Sequence, residues 1–156
     1  MQLVKPKKPA IPLQAKQAAI QHKHQPAQPK IPRNTFIKSF VFAFQGILYV
    51  LRTQRNMRVH FAAGILVIIA GLVLGVSAPE WAALLAIMAL VYALEMLNTV
   101  VEAIVDLVTQ EYHPLAKVAK DVAAGAVLVA AIFAVVIALI VLLPRFLHLA
   151  FSLLGW

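Results

Sequence analysis

From Val122 to Leu143 the chain runs for 22 residues without one charged side chain. A helix of about 20 such residues crosses the hydrocarbon of a bilayer, and it satisfies its own backbone polar groups on the way. No other stretch narrows the fold as far. Two more segments share its character, so three spans are expected at about 57–76, 80–108 and 115–143. Composition agrees: 62% of the 156 residues are hydrophobic and the mean hydropathy is +0.86, where a soluble domain is about half apolar. The expected fold class is an all-α integral membrane protein. The chain has no cysteine, which excludes a disulfide framework and thiolate chemistry.

Charge is placed unevenly. Eleven of the fourteen basic residues precede His60, and no acid occurs in the first 79 residues. Such a balance suits nucleic acid in principle. However, no recognition motif is present and the tail has no aromatics to stack on bases, so the expected partner is a membrane surface and not nucleic acid. Residues 1–33, rich in Lys, Gln and Pro, read as a disordered basic cytoplasmic tail, leaving 34–156 as the membrane domain. Asn34-Thr35 is a candidate N-cap for an amphipathic interfacial helix over about 35–55, with Lys38, Gln45 and Arg52 set among apolar residues. Gly71-x-x-x-Gly75 offers a close-packing surface. Pro144 and Arg145 are expected to end the third span, and Phe146–Trp156 to form an interfacial segment. Lys and Arg flank the N-terminal side and the 109–121 loop but not the 77–80 turn. That places the N-terminus and the later loop in the cytoplasm and the C-terminus outside.

The second span carries an anomaly. Glu95, Asn98, Glu102 and Asp106 recur at i, i+3, i+7 and i+11, one helical face, with no Lys or Arg between Glu80 and Lys117. Acids inside an apolar helix are costly and mark a functional site by default. Three readings are open on the residues alone. The acids are neutralised by Arg55, Arg58 or Lys120 in a structural bundle. They form a proton or ion relay, although the first and third spans hold no mid-membrane polar group to continue it. Or they serve an interfacial enzyme: Glu95 as general base on a lipid hydroxyl, Glu102 as a carboxylate for Mg²⁺, and Lys120 against phosphate charge. No Gly-x-x-x-x-Gly-Lys-Ser/Thr loop is present to hold a nucleotide.

The run Glu95-Met96-Leu97-Asn98-Thr99-Val100-Val101-Glu102-Ala103-Ile104-Val105-Asp106, followed by Glu111-Tyr112-His113 and by Ala119-Lys120-Asp121-Val122-Ala123-Ala124-Gly125, resembles the prokaryotic diacylglycerol kinase family, which includes undecaprenol kinases. Ser39-Phe40, Gln45-Gly46 and Arg55-Asn56-Met57-Arg58-Val59-His60 extend the likeness, which covers about residues 36–143. The resemblance implies a homotrimer of three-span chains, each with an amphipathic N-terminal helix, in the bacterial inner (plasma) membrane. It implies active sites shared between subunits at the cytoplasmic surface. There the γ-phosphate of ATP passes, with Mg²⁺, to a lipid alcohol: diacylglycerol, giving phosphatidic acid, or undecaprenol, giving undecaprenyl phosphate. By the same resemblance Glu95 is the catalytic base and Glu102 holds metal. Asn98, Glu102, Glu111, Tyr112, His113, Lys120 and Asp121 form the nucleotide site.

Three positions depart from the family pattern. Gln54 stands where many members place a metal-binding Glu. Phe42 occupies a region where some have an aromatic hydroxyl. Ala124 replaces a Ser of some diacylglycerol-specific members, and with Leu94-Glu95-Met96-Leu97-Asn98-Thr99 this looks closer to the Gram-positive and cyanobacterial branch, which makes undecaprenol a candidate substrate. The alternative function is a non-catalytic membrane scaffold or an ion-conducting helical bundle.

Overall fold

A computed structural model describes residues 36–154. The basic tail and the Asn34-Thr35 cap lie outside the described residues. The chain divides into two units at Ser39/Phe40, and apart from the first residues of α1 the description concerns the second. Every element among the described residues is helical: α1 (Phe36–Thr53), α2 (Arg55–Val73), α3 (Ala78–Val108) and α4 (Pro114–Leu153). All four are long and apolar enough to cross a membrane.

Each junction has a local cause. Gln54 alone separates α1 from α2, with extended backbone at φ −95° and ψ 121°. Its N–H still bonds the Val50 carbonyl at 2.8 Å, so the chain bends at one residue without losing α1's last turn. α2 ends in a Schellman-type closure: the Val76 N–H reaches the Gly71 carbonyl at 3.0 Å while Gly75 takes φ +64°, a left-handed conformation that favours glycine. Gly75 therefore turns the chain and is not part of a helix-packing stripe. Gly71 does pack: a Cβ there would lie 2.6 Å from the Trp81 ring. Ser77 then opens α3, its N–H and hydroxyl both donating to Glu80, the former at 2.8 Å.

α3 has 31 residues, about 46 Å at 1.5 Å per residue. That exceeds the roughly 30 Å of bilayer hydrocarbon, so the helix is longer than a single span requires. It packs chiefly on α4, and α2 lies against both. A small core of Val76, Leu84 and Val141 sits near the α2–α3 turn, with Val67, Trp81 and Ile137 against it. Much apolar surface elsewhere is exposed, as on Leu66, Leu72 and Ile140, and suits lipid or neighbouring helices.

Pro144 does not end α4, contrary to the expectation from sequence: the helix continues to Leu153. Proline removes one N–H and crowds the preceding turn, but the next residue fastens the helix there. The Arg145 guanidinium donates to Glu80 at 2.6 Å and to the Gly75 carbonyl at 2.7 Å. Those bonds tie α4 to the α2–α3 turn across the proline.

Candidate functional site

The acidic face of α3 is graded by burial. Glu95 is 1% exposed and Asn98 6% exposed, Glu102 is half-buried and Asp106 is exposed. Glu95 and Asn98 are placed by packing, since Leu84, Val91, Glu95, Asn98 and Thr99 are the residues α3 buries. The Thr99 hydroxyl turns back to the Glu95 carbonyl at 3.0 Å, keeping a polar group off the apolar surround.

Glu102 is held by two amides. Gln54 Nε2 donates to its Oε2 at 3.2 Å and Asn98 Nδ2 to its Oε1 at 3.1 Å. The single-residue break between α1 and α2 is what delivers Gln54 to a carboxylate 48 positions away. Gln54, Asn98 and Glu102 therefore form one cluster, with Glu95 two helical turns from Glu102. Two atoms of this region are buried without a hydrogen-bond partner: Glu95 Oε2 and Asn98 Oδ1. Buried polar atoms are nearly always satisfied, and exceptions call for a functional or ligand explanation.

His60 belongs to the Arg55–His60 run that extends the family likeness, but no role is expected for it from sequence. It is half-buried on α2 and near enough to act on Glu95 electrostatically. Its carbonyl accepts a bond from the Tyr92 hydroxyl at 3.4 Å. A lone histidine at the start of an apolar span carries no spacing signal, and only packing reveals its neighbour.

A second cluster forms around the α3–α4 loop. Glu111, Tyr112, His113, Lys120 and Asp121 line one cavity of about 400 Å³, together with Asp106 and Lys117. Lys120 bonds Asp106 at 2.6 Å, and Lys117 pairs with Asp121 one turn along α4. His113 has a structural task as well: its Nδ1 accepts the Leu115 N–H at 3.3 Å, capping α4. Asn98 and Glu102 are absent from this cavity, so the residues expected around a nucleotide fall into two groups in one chain.

The pairing pattern bears on the structural-neutralisation reading. Among the described residues the ion pairs are Lys117–Asp121, Lys120–Asp106 and Arg145–Glu80. Neither Glu95 nor Glu102 is neutralised by a cation, and Arg55 and Arg58 remain at the surface. Glu95, the most deeply buried acid, thus has no salt bridge among the described residues, the reverse of what a purely structural bundle needs.

Residues 41–142 match the family model for prokaryotic diacylglycerol kinase. The chain is 46% identical over 112 residues to an undecaprenol kinase of Bacillus subtilis, a match covering 72% of this chain and 91% of that protein. It is 50% identical over 112 residues to a diacylglycerol kinase of Synechocystis, covering 71% of this chain and 64% of the relative, so it spans a little under two thirds of that protein. A diacylglycerol kinase of Escherichia coli is 33% identical over 110 residues, with 70% and 90% covered.

Proposed function

The chain belongs to the prokaryotic diacylglycerol kinase family and is a membrane lipid kinase, and we propose that it transfers the γ-phosphate of ATP to the hydroxyl of diacylglycerol or undecaprenol at the cytoplasmic end of α3. This sets aside the scaffold and ion-bundle alternatives. The observation that carries the site assignment is Glu95, 1% exposed with Oε2 lacking any donor. A lipid hydroxyl is a donor of the right kind, and a carboxylate that accepts its proton leaves an alkoxide-like oxygen to attack the γ-phosphorus in line as its bond to the bridging oxygen breaks and ADP leaves.

Glu102, with Gln54 and Asn98, is the proposed metal position. Its oxygens now accept from two amides, and each amide also owns an oxygen that a side-chain rotation would present. Asn98 Oδ1 is already buried without a partner. Such a donor set fits Mg²⁺, which takes one or two protein carboxylates and completes its shell with phosphate oxygens and water. No group of three or more acids and histidines able to hold a metal occurs among the described residues; a cation delivered with ATP suits that economy. When bound, Mg²⁺ offsets phosphate charge. Glu102 would hold the cation, and Lys120, paired with Asp106 here, would supply positive charge to the phosphates. Glu111, Tyr112, His113 and Asp121 form the nucleoside side of the site.

The architecture we propose is three spans, α2 to α4, with α1 lying along the cytoplasmic headgroups of the inner membrane. The N-terminus is cytoplasmic, as the basic residues favour. A homotrimer is proposed because the two site clusters do not share one cavity within a chain, so a neighbour's loop can complete the deeper one. The test is Glu95→Gln in mixed micelles with γ-labelled ATP. The isostere removes the base and should lower transfer about 10²–10⁴-fold, while KM for ATP stays within about twofold. Undiminished transfer removes Glu95 from the role.

A further inference from the structure

At the other end of the bundle, beside the α2–α3 turn, lies a cavity of about 500 Å³, within the range of ligand pockets, about 300 to 1,000 Å³. Glu80, Arg145 and His148 supply its polar wall, and Val73, Leu74 and Leu149 its apolar one. Glu80 lies fifteen positions before Glu95 on α3, about 22 Å along the helix axis, so the cavity takes no part in phosphoryl transfer. Arg145, His148 and Leu149 also lie beyond residues 41–142, the stretch that matches the family model.

The chemistry of this chamber favours an anion. Glu80 is already engaged: its oxygens accept from the Ser77 N–H and hydroxyl and twice from Arg145. Arg145 in turn bonds Glu80 and the Leu74 and Gly75 carbonyls, which leaves one of the five guanidinium N–H groups to spare. That N–H and the exposed imidazole of His148, one turn along the same helix, are the side-chain donors left over in the lining. No uncommitted carboxylate competes with a ligand for them.

An apolar groove continues from the chamber, and Leu74 lines both. It has a volume of about 350 Å³ and runs along Phe146, Leu142, Leu139 and Val135 of α4 past Ala70 of α2, with no polar side chain in its lining. Val135, Leu139 and Phe146 are exposed, so the groove opens on the outer surface of the bundle. Phe146 lies at the chamber end and Val135 eleven positions deeper, a span of about 16 Å. That is half of the roughly 30 Å of bilayer hydrocarbon, the depth of one leaflet. A slot one leaflet deep, with donors for an anion at its mouth, is complementary to an anionic head on a hydrocarbon chain.

We propose that chamber and groove together form a binding site for a glycerophospholipid of the leaflet opposite the phosphoryl-transfer site. Its phosphodiester meets Arg145 and His148, and one acyl chain lies between α2 and α4. The test titrates the full-length protein in maltoside micelles with phosphatidylglycerol, or with digalactosyl diacylglycerol of the same acyl chains, and reads lipid bound per chain by native mass spectrometry. Wild type should bind phosphatidylglycerol about tenfold more tightly, the least that a hydrogen bond to a charged group contributes. His148→Glu, at an exposed position, should erase that preference. Ala70→Leu fills the groove and should weaken binding of both lipids severalfold. Ile140→Phe, on an exposed part of α4 outside the groove, should change neither. Equal binding of the two lipids by wild type, or a preference that survives His148→Glu, overturns the proposal. So do equal effects of Ala70→Leu and Ile140→Phe. Efficient disulfide cross-linking of two copies through Leu139→Cys, in a chain with no other cysteine, overturns it as well, because a second chain would then fill the groove. If Ala70→Leu does not fold, a phosphatidylglycerol carrying a diazirine at mid-chain decides. Label on residues 135–143 that excess unlabelled phosphatidylglycerol suppresses is expected, and label insensitive to that competitor refutes the groove.

Discussion

Replacing Gln54 by Glu tests the metal assignment with a sign that a structural role does not share. In the present structure Gln54 Nε2 donates to Glu102 Oε2 at 3.2 Å. A carboxylate at position 54 forfeits that bond, worth about 1 kcal/mol, and sets two negative charges face to face. At about 4 Å the repulsion is about 1 kcal/mol in water and about 4 kcal/mol at an effective dielectric of about 20. Both residues are half-buried, so the pair falls between those limits. Without divalent cation and nucleotide, Gln54→Glu should therefore be roughly 2–5 kcal/mol less stable than wild type. A cation between the carboxylates reverses the sign of the interaction. Recovering only 1.4 kcal/mol of it tightens binding tenfold, so the Mg²⁺ needed for half-maximal rate should fall at least tenfold. The assay pairs thermal melting in micelles, across a Mg²⁺ series without nucleotide, with initial rates at saturating ATP. Wild-type melting should respond weakly to Mg²⁺ and the variant strongly. A variant that melts low at every Mg²⁺ concentration, with an unchanged Mg²⁺ requirement for turnover, refutes the reasoning: Gln54 would then be a hinge residue whose amide fastens the α1–α2 bend to α3. Gln54→Ala serves as control, losing the hydrogen bond alone and gaining no response to the cation.

Three further outcomes follow from the geometry. Gly71→Ala puts a Cβ 2.6 Å from the Trp81 ring and should destabilise by about 1–3 kcal/mol, read as a lower melting midpoint with KM for ATP unchanged. Arg145→Ala cuts the bonds to Glu80 and Gly75, so the melting midpoint should fall and proteolysis at the 74–77 turn should rise; Arg145→Lys should restore little, since one ammonium does not span both acceptors. Asp106→Asn removes an exposed ion pair with Lys120, which costs stability no more than about 1 kcal/mol. If Lys120 serves phosphates, KM for ATP should drop or hold; a severalfold rise would assign Asp106 to the nucleotide site itself.

The helices were legible because their cause is local. A run of 22 uncharged residues admits little else, and Ser77-Ala78-Pro79-Glu80 announces a helix start whatever surrounds it. What escaped were features that depend on a neighbour. Gly71 and Gly75 look alike as a spaced pair, yet one faces an indole ring and the other takes a positive φ, and four-residue spacing cannot separate those uses. Pro144 reads as a terminator because proline is one in isolation. Arg145, Glu80 and the Gly75 carbonyl together hold the helix through it, and the partners are 65 and 70 residues away in sequence.

The candidate site divides along the same line. Periodicity alone put Glu95, Asn98, Glu102 and Asp106 on one face of α3. It could not say that Gln54 arrives from the α1–α2 break to meet Glu102, because that is a meeting between helices. His113 shows a third case, a residue expected at the nucleotide that also caps α4, so its loss would disturb two things at once. Asp106 lies eleven positions beyond Glu95, a rise of about 16 Å along α3. That climb runs from a carboxylate sealed away from water to an exposed one paired with Lys120 of α4. A reaction between a lipid hydroxyl and a water-soluble triphosphate needs such a ladder. A helix of ordinary span length would end near Glu95 or near the loop, and the surplus length of α3 lets one element carry the proposed base, the metal carboxylate and the loop contacts in that order. Lengthening the ladder by one turn between Thr99 and Glu102, beyond the last buried residue of the helix, should therefore abolish transfer, since Glu102 and Asp106 move about 5 Å away from the proposed base; transfer that survives the insertion refutes the ladder.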